Sequence, residues 1–281
     1  MQDHAGGYLG IFTVDKPVVT EGEMLHESVL KLIENGTGLL TSTGLEATGF
    51  VVSDYAKKEL NNSDWPDTQF MLETRINRAL LLDLPFTKFT EHSLDLEEEV
   101  SNKFWGKIKG DNNFFHVVSL LARPFSRGEV TLQSADPFIR PKLDPKLLSD
   151  ERDIKVAVSG ARQIVDIVEN SKAFKAYNVR ILDIPFPGCE DVPFKSDAYW
   201  ECYLRQFFVI NYNHAGTCAM GRKDSPRAVV DSELRVIGTK HLRVIDASIM
   251  PDITTSSTNA VTIMIGEMGA GFVKSAWRET R

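Results

Sequence analysis

The 281-residue chain has no apolar run approaching the ~20 residues that a membrane-spanning helix needs. Its opening stretch, MQDHAGGYLG, lacks the basic and apolar regions of a signal peptide. Positive charge is not in excess: 32 Lys and Arg against 39 Asp and Glu leave a net charge of -7. That gives no electrostatic footprint for nucleic acid or anionic lipid. Cysteine is scarce, and Cys189, Cys202 and Cys218 are odd in number with no metal-like spacing. They argue against a disulfide framework and against a zinc ribbon. No internal repeat is visible. Glycine-rich phosphate-binding patterns are also missing: AGGYLG has its glycines at the wrong spacing for GxGxxG, and it runs on into strand rather than helix.

What is present has the profile of a soluble globular protein, 42% hydrophobic and 25% charged. The length suits one large domain or two ordinary ones, and folding would bury roughly three quarters of the extended surface. After the strand-like GGYLGIFTV, residues 21–35 place Leu25, Val29, Leu30, Leu32 and Ile33 on one face of a helix ended by Gly36. Two extended stretches follow, GLLTSTGLEATGFVVS and DTQFMLETRI. Glu97-Glu98-Glu99 reads as a solvated first helical turn, where carboxylates suit the helix dipole, with a mobile lid as the alternative. FFHVVSLLARP and GEVTLQS flank Ser126-Arg127-Gly128 and predict a hairpin. A long helix then opens after Ser149, its expected N-cap, with Ile154, Val158, Ala161, Ile164, Val165 and Val168 as its apolar stripe. Several strands followed by helices predict an α+β fold, an antiparallel sheet with helices on one face. Two Asn-x-Ser/Thr triplets, at Asn35 and Asn61, matter only in a secreted protein and arise often by chance.

From residue 206 the character changes. FFVI leads into NYNHAGTCAMG, where His214 stands between an extended segment and a glycine turn. Such a position suits a reactive group on a rigid support, and equally a hydrogen-bonded structural histidine. A His214/Cys218 metal pair lacks a second pair to complete it. AVVDSELRVIGTKHLRVIDASIMP alternates strand and turn, and TTSSTN opens a last apolar helix. There Thr258 and Asn259 can cap the helix, whose N–H groups and dipole make a seat for partial negative charge. Asn259 alone reads as a cap or as a catalytic amide.

HAGTCAMG, VIDASIMP and TNAVTIMIGE in this order resemble the C-terminal signature of the glucose–methanol–choline (GMC) oxidoreductases, flavoproteins that oxidise alcohols. QDHAGGYLGIFTVDKP is similar to the segment opening that family's substrate domain, with the wording of its insect-type branch. GLLTSTGLEATGF, WPDTQF and LLARPFSRGEVTLQSADPFIRPKLDP match in order too, so the resemblance runs through nearly the whole chain. It implies a substrate-binding sheet domain over residues 1–205. Residues 206–281 would form a C-terminal strand–helix segment that helps to complete an FAD-binding α/β domain.

The resemblance also implies roles. His214 takes the position of the general base that accepts the substrate hydroxyl proton as hydride leaves carbon for flavin N5. Asn259 takes the position of the hydrogen-bond partner to the substrate oxygen. Asp246, Ala247, Asn259, Ala260 and Val261 take positions that line FAD, where the helix dipole favours charge on the reduced ring. Val261 stands where many relatives have proline, and His4 is read as structural, as are His26, His92, His116 and His241. The family's N-terminal strand–GxGxxG–helix unit has no counterpart here. The expectation is therefore a catalytic half without its cofactor cradle, prone to aggregate alone. A truncated, non-catalytic relative that cannot hold FAD is the alternative, and a flavin-bearing lyase a third reading. The substrate is a small-molecule alcohol of unspecified kind. Oligomeric state and electron acceptor are not encoded legibly, and localisation is left open, secretion being consistent with the insect-type resemblance.

Overall fold

The computed structural model describes residues 1–16, 25–42, 44–73, 94–107 and 114–279. They form a mixed fold of helices and antiparallel sheet, divided into two compact units. One comprises residues 6–120 and 154–209, the other residues 1–5, 121–153 and 210–281. Residues 1–5 and 121–153, which the sequence division assigns to the substrate domain, thus share a unit with the C-terminal region. His92 and residues 17–24, where the first helix was expected to begin, lie outside the described residues, as do residues 74–76 of the second extended stretch.

In the first unit the sheet is ordered β2 (Leu45–Val51), β3 (Thr68–Glu73), β4 (Phe114–Leu121), β1 (Ala5–Thr13), β7 (Arg180–Ile181), with β8 (Val209–Ile210) also on β1. β4 is buried at every position and β1 at all but its last. Both therefore read as apolar runs rather than alternating strands. The glycines of AGGYLG serve this packing, not a phosphate. A Cβ on Gly6 would stand 1.8 Å from the Ser119 carbonyl oxygen, so only glycine allows the two strands to approach.

The helices of this unit are α1 (Leu25–Asn35), α2 (Asp54–Glu59), α3 (Glu98–Phe104), α4 (Glu151–Asn170, from Ile154 onward), α5 (Lys172–Lys175) and α6 (Asp197–Gln206). The Glu97-Glu98-Glu99 run opens α3 with Glu97 as its N-cap and Glu98 and Glu99 in the first turn, as the dipole argument predicts. α4 starts one residue later than Ser149 would set it. Asp150 stands before it, and its carboxylate accepts the Arg152 N–H at 3.0 Å. The Arg152 guanidinium, 2.6 Å away, draws that carboxyl down to about 2.

Two sequence expectations fail. The hairpin around Ser126-Arg127-Gly128 does not form: β5 (Glu129–Thr131) pairs instead with β6 (Lys142–Asp144) in a separate antiparallel ribbon. The reason is the buried carboxylate of Asp153, which accepts the N–H groups of Phe125 (2.7 Å) and Ser126 (2.8 Å). Gly128 has no Cβ to block Asp144, whose carbonyl oxygen such an atom would meet at 2.2 Å. The cysteines are not all free either. Cys189 and Cys202 form a disulfide that staples the Pro187-Gly188 loop to α6, leaving Cys218 as the free thiol. Tertiary packing brings them together: Phe186 lies 4.9 Å from Tyr203 of α6, centroid to centroid. Thirteen residues of separation carry no such information in the sequence.

The second unit is built around Ala215, Val230, Leu234, Ile249, Met250, Ile253 and Ile265. The stretch read as alternating strand and turn holds isolated bridges, Val230 with Met220 and Val236 and Arg235 with Arg243, and a single-turn helix at Ala247–Ile249. Its last helix, α7 (Asn259–Glu279), leaves Ile263, Met264, Met268 and Trp277 exposed. No helix among the described residues is long and apolar enough to cross a membrane.

His116, read as structural, sits on β4 edge-on to Tyr8 and Trp105, with Nδ1 3.3 Å from the Gly10 carbonyl oxygen. Burial holds its imidazole at about 4, against 6.5 for an ordinary histidine. Between those values the folded chain binds fewer protons than the unfolded one. Stability is thus constant above 6.5 and falls as pH drops towards 4. Between pH 7 and 5 this group should cost about 2 kcal/mol. Urea unfolding of the full-length protein should show that loss, and His116→Phe should flatten it by a similar amount.

Candidate active site

The site is organised by residues 1–4. Gln2 and Ala215 exchange backbone hydrogen bonds (2.8 and 3.0 Å), and Asn211 N–H donates to the His4 carbonyl at 2.7 Å. The segment 211–215 is thereby held alongside the start of β1. Tyr212 (φ 55°) and Gly216 (φ 85°) bend it on either side of His214.

Asp3 is wholly buried, and its two carboxylate oxygens are divided between neighbours. Oδ1 accepts the Asn213 N–H at 2.8 Å, and Oδ2 lies 2.7 Å from His214 Nδ1. Burial pushes the Asp3 carboxyl above the usual carboxylate range, opposed by the Asn213 N–H and the charge of a protonated His214. The His214 side chain is 46% exposed, so with Nδ1 turned to Asp3 its Nε2 is the nitrogen left for a second molecule. His4 contacts the Thr254 carbonyl oxygen through Nε2 at 2.7 Å, and burial lowers its basicity. It holds a loop, in keeping with its structural reading.

The helix bearing Asn259 is tied to the same strand. Asn213 Oδ1 accepts hydrogen bonds from Thr258 N (3.0 Å), Thr258 Oγ1 (3.0 Å) and Ser257 Oγ (3.2 Å). Asn213, from 45 residues away, thus holds Thr258, the residue just before α7, and Asn259 is the first residue of the helix itself. Asn259 and Ala260 stand exposed in the first turn and Val261 half-buried behind them. Gln2 fixes the approach to that turn, donating to the Pro251 carbonyl (3.0 Å) and accepting from Ile253 N–H (3.1 Å).

Asp246 and Ala247 come in on a third segment. Asp246 caps the single-turn helix Ala247–Ile249 by accepting the Ser248 N–H at 2.8 Å. That turn runs beside the strand after His214, with Cys218 N–H donating to the Ser248 carbonyl at 2.8 Å and Met220 N–H to that of Ile249 at 2.7 Å. All the residues singled out in the sequence thus lie on three segments joined by hydrogen bonds. Sequence reasoning missed Gln2, Asp3 and Asn213. The signal was a run of polar residues, QDH, leading into an otherwise apolar strand, where each must be buried with a partner.

The site thus sets an imidazole backed by a buried carboxylate on the segment tied to the first turn of α7. Among the described residues no group of three or more His, Cys, Asp or Glu could hold a metal ion. Comparison with known proteins supplies the family. Residues 124–266 match the model of GMC oxidoreductase, and the chain belongs to that family.

Glucose dehydrogenase (FAD, quinone) of Drosophila pseudoobscura pseudoobscura is 41% identical over 170 residues, 60% of this chain and 27% of the relative. Versicolorin B synthase of Aspergillus parasiticus is 38% identical over 232 residues, 82% of this chain and 32% of the relative. Among solved structures, formate oxidase superposes with a TM-score of 0.74 at 24% identity, covering all of this chain and 47% of that one. The chain therefore spans about a third or less of these curated relatives and about half of the structural one.

Removing the Asn213 carboxamide tests how the start of α7 is seated. Asn213→Ala leaves the buried Thr258 N–H and hydroxyl without their acceptor, which should cost roughly 1–3 kcal/mol in the full-length protein. Chemical denaturation would measure it.

Proposed function

We propose that this chain is the catalytic portion of an FAD-dependent oxidoreductase that acts on the CH–OH group of a small-molecule alcohol. The observation that supports it most is the pairing of His214 with buried Asp3 on a segment whose next residue back, Asn213, holds Thr258 at the start of the helix carrying Asn259. Family membership and the printed names of relatives, among them an FAD, quinone-linked glucose dehydrogenase and an alcohol dehydrogenase (acceptor), point the same way.

The fit to FAD is partial. Asp246, Ala247, Asn259, Ala260 and Val261 would hold one edge of the flavin ring, at a helix N-terminus whose amides suit negative charge. Nothing in the sequence offers a glycine-rich cradle for the diphosphate, so the remainder of the site belongs to the part of a full-length protein outside these residues. Bound there, FAD supplies the acceptor for the hydride equivalent.

The chain's own residues would do the rest. His214 Nε2 accepts the hydroxyl proton of the alcohol. Asp3 keeps the other ring nitrogen, Nδ1, facing its carboxylate, which fixes the tautomer and favours the imidazolium once formed. Asn259, exposed and not used as a cap, donates its amide N–H to the substrate oxygen as charge builds there. Asp3 is a positioning residue, because it reaches the substrate only through His214.

The full-length protein should be yellow, and an alcohol added without oxygen should bleach it. His214→Ala should keep the flavin spectrum while slowing bleaching by about 10²–10⁴. Asp3→Asn should act in the same direction, with a shifted pH profile and an unchanged KM. Bleaching of His214→Ala at the wild-type rate would overturn this assignment.

A further inference from the structure

Three observations outside the candidate site converge. Cys189 and Cys202 are joined in a disulfide, a bond that persists in secretory and extracellular compartments and is rare where thiols are kept reduced. Both Asn-x-Ser/Thr triplets, Asn35-Gly36-Thr37 and Asn61-Asn62-Ser63, carry their acceptor asparagine and their hydroxyl residue on the surface. The second triplet is shaped to present its ends. Asn61 adopts a left-handed conformation (φ 48°) just past α2, a conformation asparagine tolerates. The middle residue, Asn62, closes the loop: its amide donates to the Trp65 carbonyl (2.7 Å) and accepts from Trp65 N–H (3.1 Å). With the middle side chain turned to the loop, Asn61 and Ser63 are left exposed beside Asp64.

We propose that Asn61 carries an N-linked glycan, in a protein that matures in the oxidising secretory compartment where the Cys189–Cys202 bond forms. The donor is a lipid-diphosphate-linked oligosaccharide. A bond forms from Asn61 Nδ2 to the anomeric carbon of the first sugar, the anomeric C–O bond to the diphosphate breaks, and the amide loses one proton as the lipid diphosphate departs. Ser63 supplies the hydroxyl that the triplet requires. Asn61 is chosen over Asn35 because Asn35 closes α1 next to exposed Leu32 (39%) and Ile33 (75%). An apolar face of that kind is a surface for contact, whereas the loop of Asn61 is held in one shape by the two Asn62–Trp65 bonds and sets Asn61 and Ser63 outward.

The test uses the full-length protein isolated from its natural source. Treatment with peptide N-glycosidase should increase its gel mobility and convert Asn61 to aspartate in the tryptic peptide. Alkylation before reduction should label Cys218 but neither Cys189 nor Cys202. In a secreting eukaryotic host, Asn61→Gln and Ser63→Ala should each abolish the mobility change assigned to this site, without altering alcohol-dependent flavin reduction. An unmodified Asn61 in the native protein overturns the proposal, whether Asn35 is modified or not. So does labelling of Cys189 and Cys202 before reduction. Neither result bears on the alcohol-oxidising reading, which flavin bleaching decides separately.

Discussion

The candidate site depends on three polar side chains placed where the chain would otherwise bury apolar ones. Gln2, Asp3 and His4 are all less than 5% exposed, and between them they hold two loops, residues 251–254 and residues 213–214. Gln2 holds the approach to α7 through Pro251 and Ile253, His4 holds Thr254, and Asp3 holds Asn213 and His214. A buried polar group without its partner costs more than the bond itself contributes, so these contacts specify one arrangement of the loops rather than merely stabilising it. Segments more than 200 residues apart in sequence are thereby fixed against the same few atoms.

This arrangement separates two requirements that a catalytic histidine sets against each other. The ring must be rigid, which favours burial, and it must stay basic and accessible, which burial opposes. Here the carboxylate is buried and the imidazole is not. Asp3 bears the desolvation, visible in its raised basicity, while His214 keeps nearly half of its surface open. His4, one residue from Asp3, shows the other outcome: buried at 1% exposure, it is less basic than an ordinary histidine and serves a carbonyl oxygen. Two histidines beside the same carboxylate thus differ in burial, His214 open to solvent and His4 enclosed.

What could be read from sequence follows the range of the interactions involved. Helix boundaries governed by local chemistry were legible: α1 stops before Gly36, and the acidic run opens α3. His214 and Asn259 were singled out by the family resemblance, with a glycine turn and a cluster of small hydroxyl residues as their local marks. What escaped was set by partners far along the chain. Asp153 overrides the hairpin by capturing Phe125 and Ser126 from 28 and 27 residues away. Asn213 holds Thr258, at the threshold of α7, from 45 residues away. The Cys189–Cys202 pair could not be inferred by counting cysteines, because an odd total is compatible with one bond and one free thiol.

The bond from Asn213 bears most directly on the geometry of the site. A helix N-terminus presents N–H groups that its own turn leaves unpaired. Thr258, the residue just before α7, gives its N–H and its hydroxyl to Asn213 Oδ1, so the turn is held through Thr258 rather than through Asn259. The segment carrying the His214 imidazole is thereby fixed relative to the turn carrying the Asn259 carboxamide. For the roles proposed above, two side chains from separate segments would need some such link, because a displacement of about 1 Å can cost on the order of 10²-fold in rate.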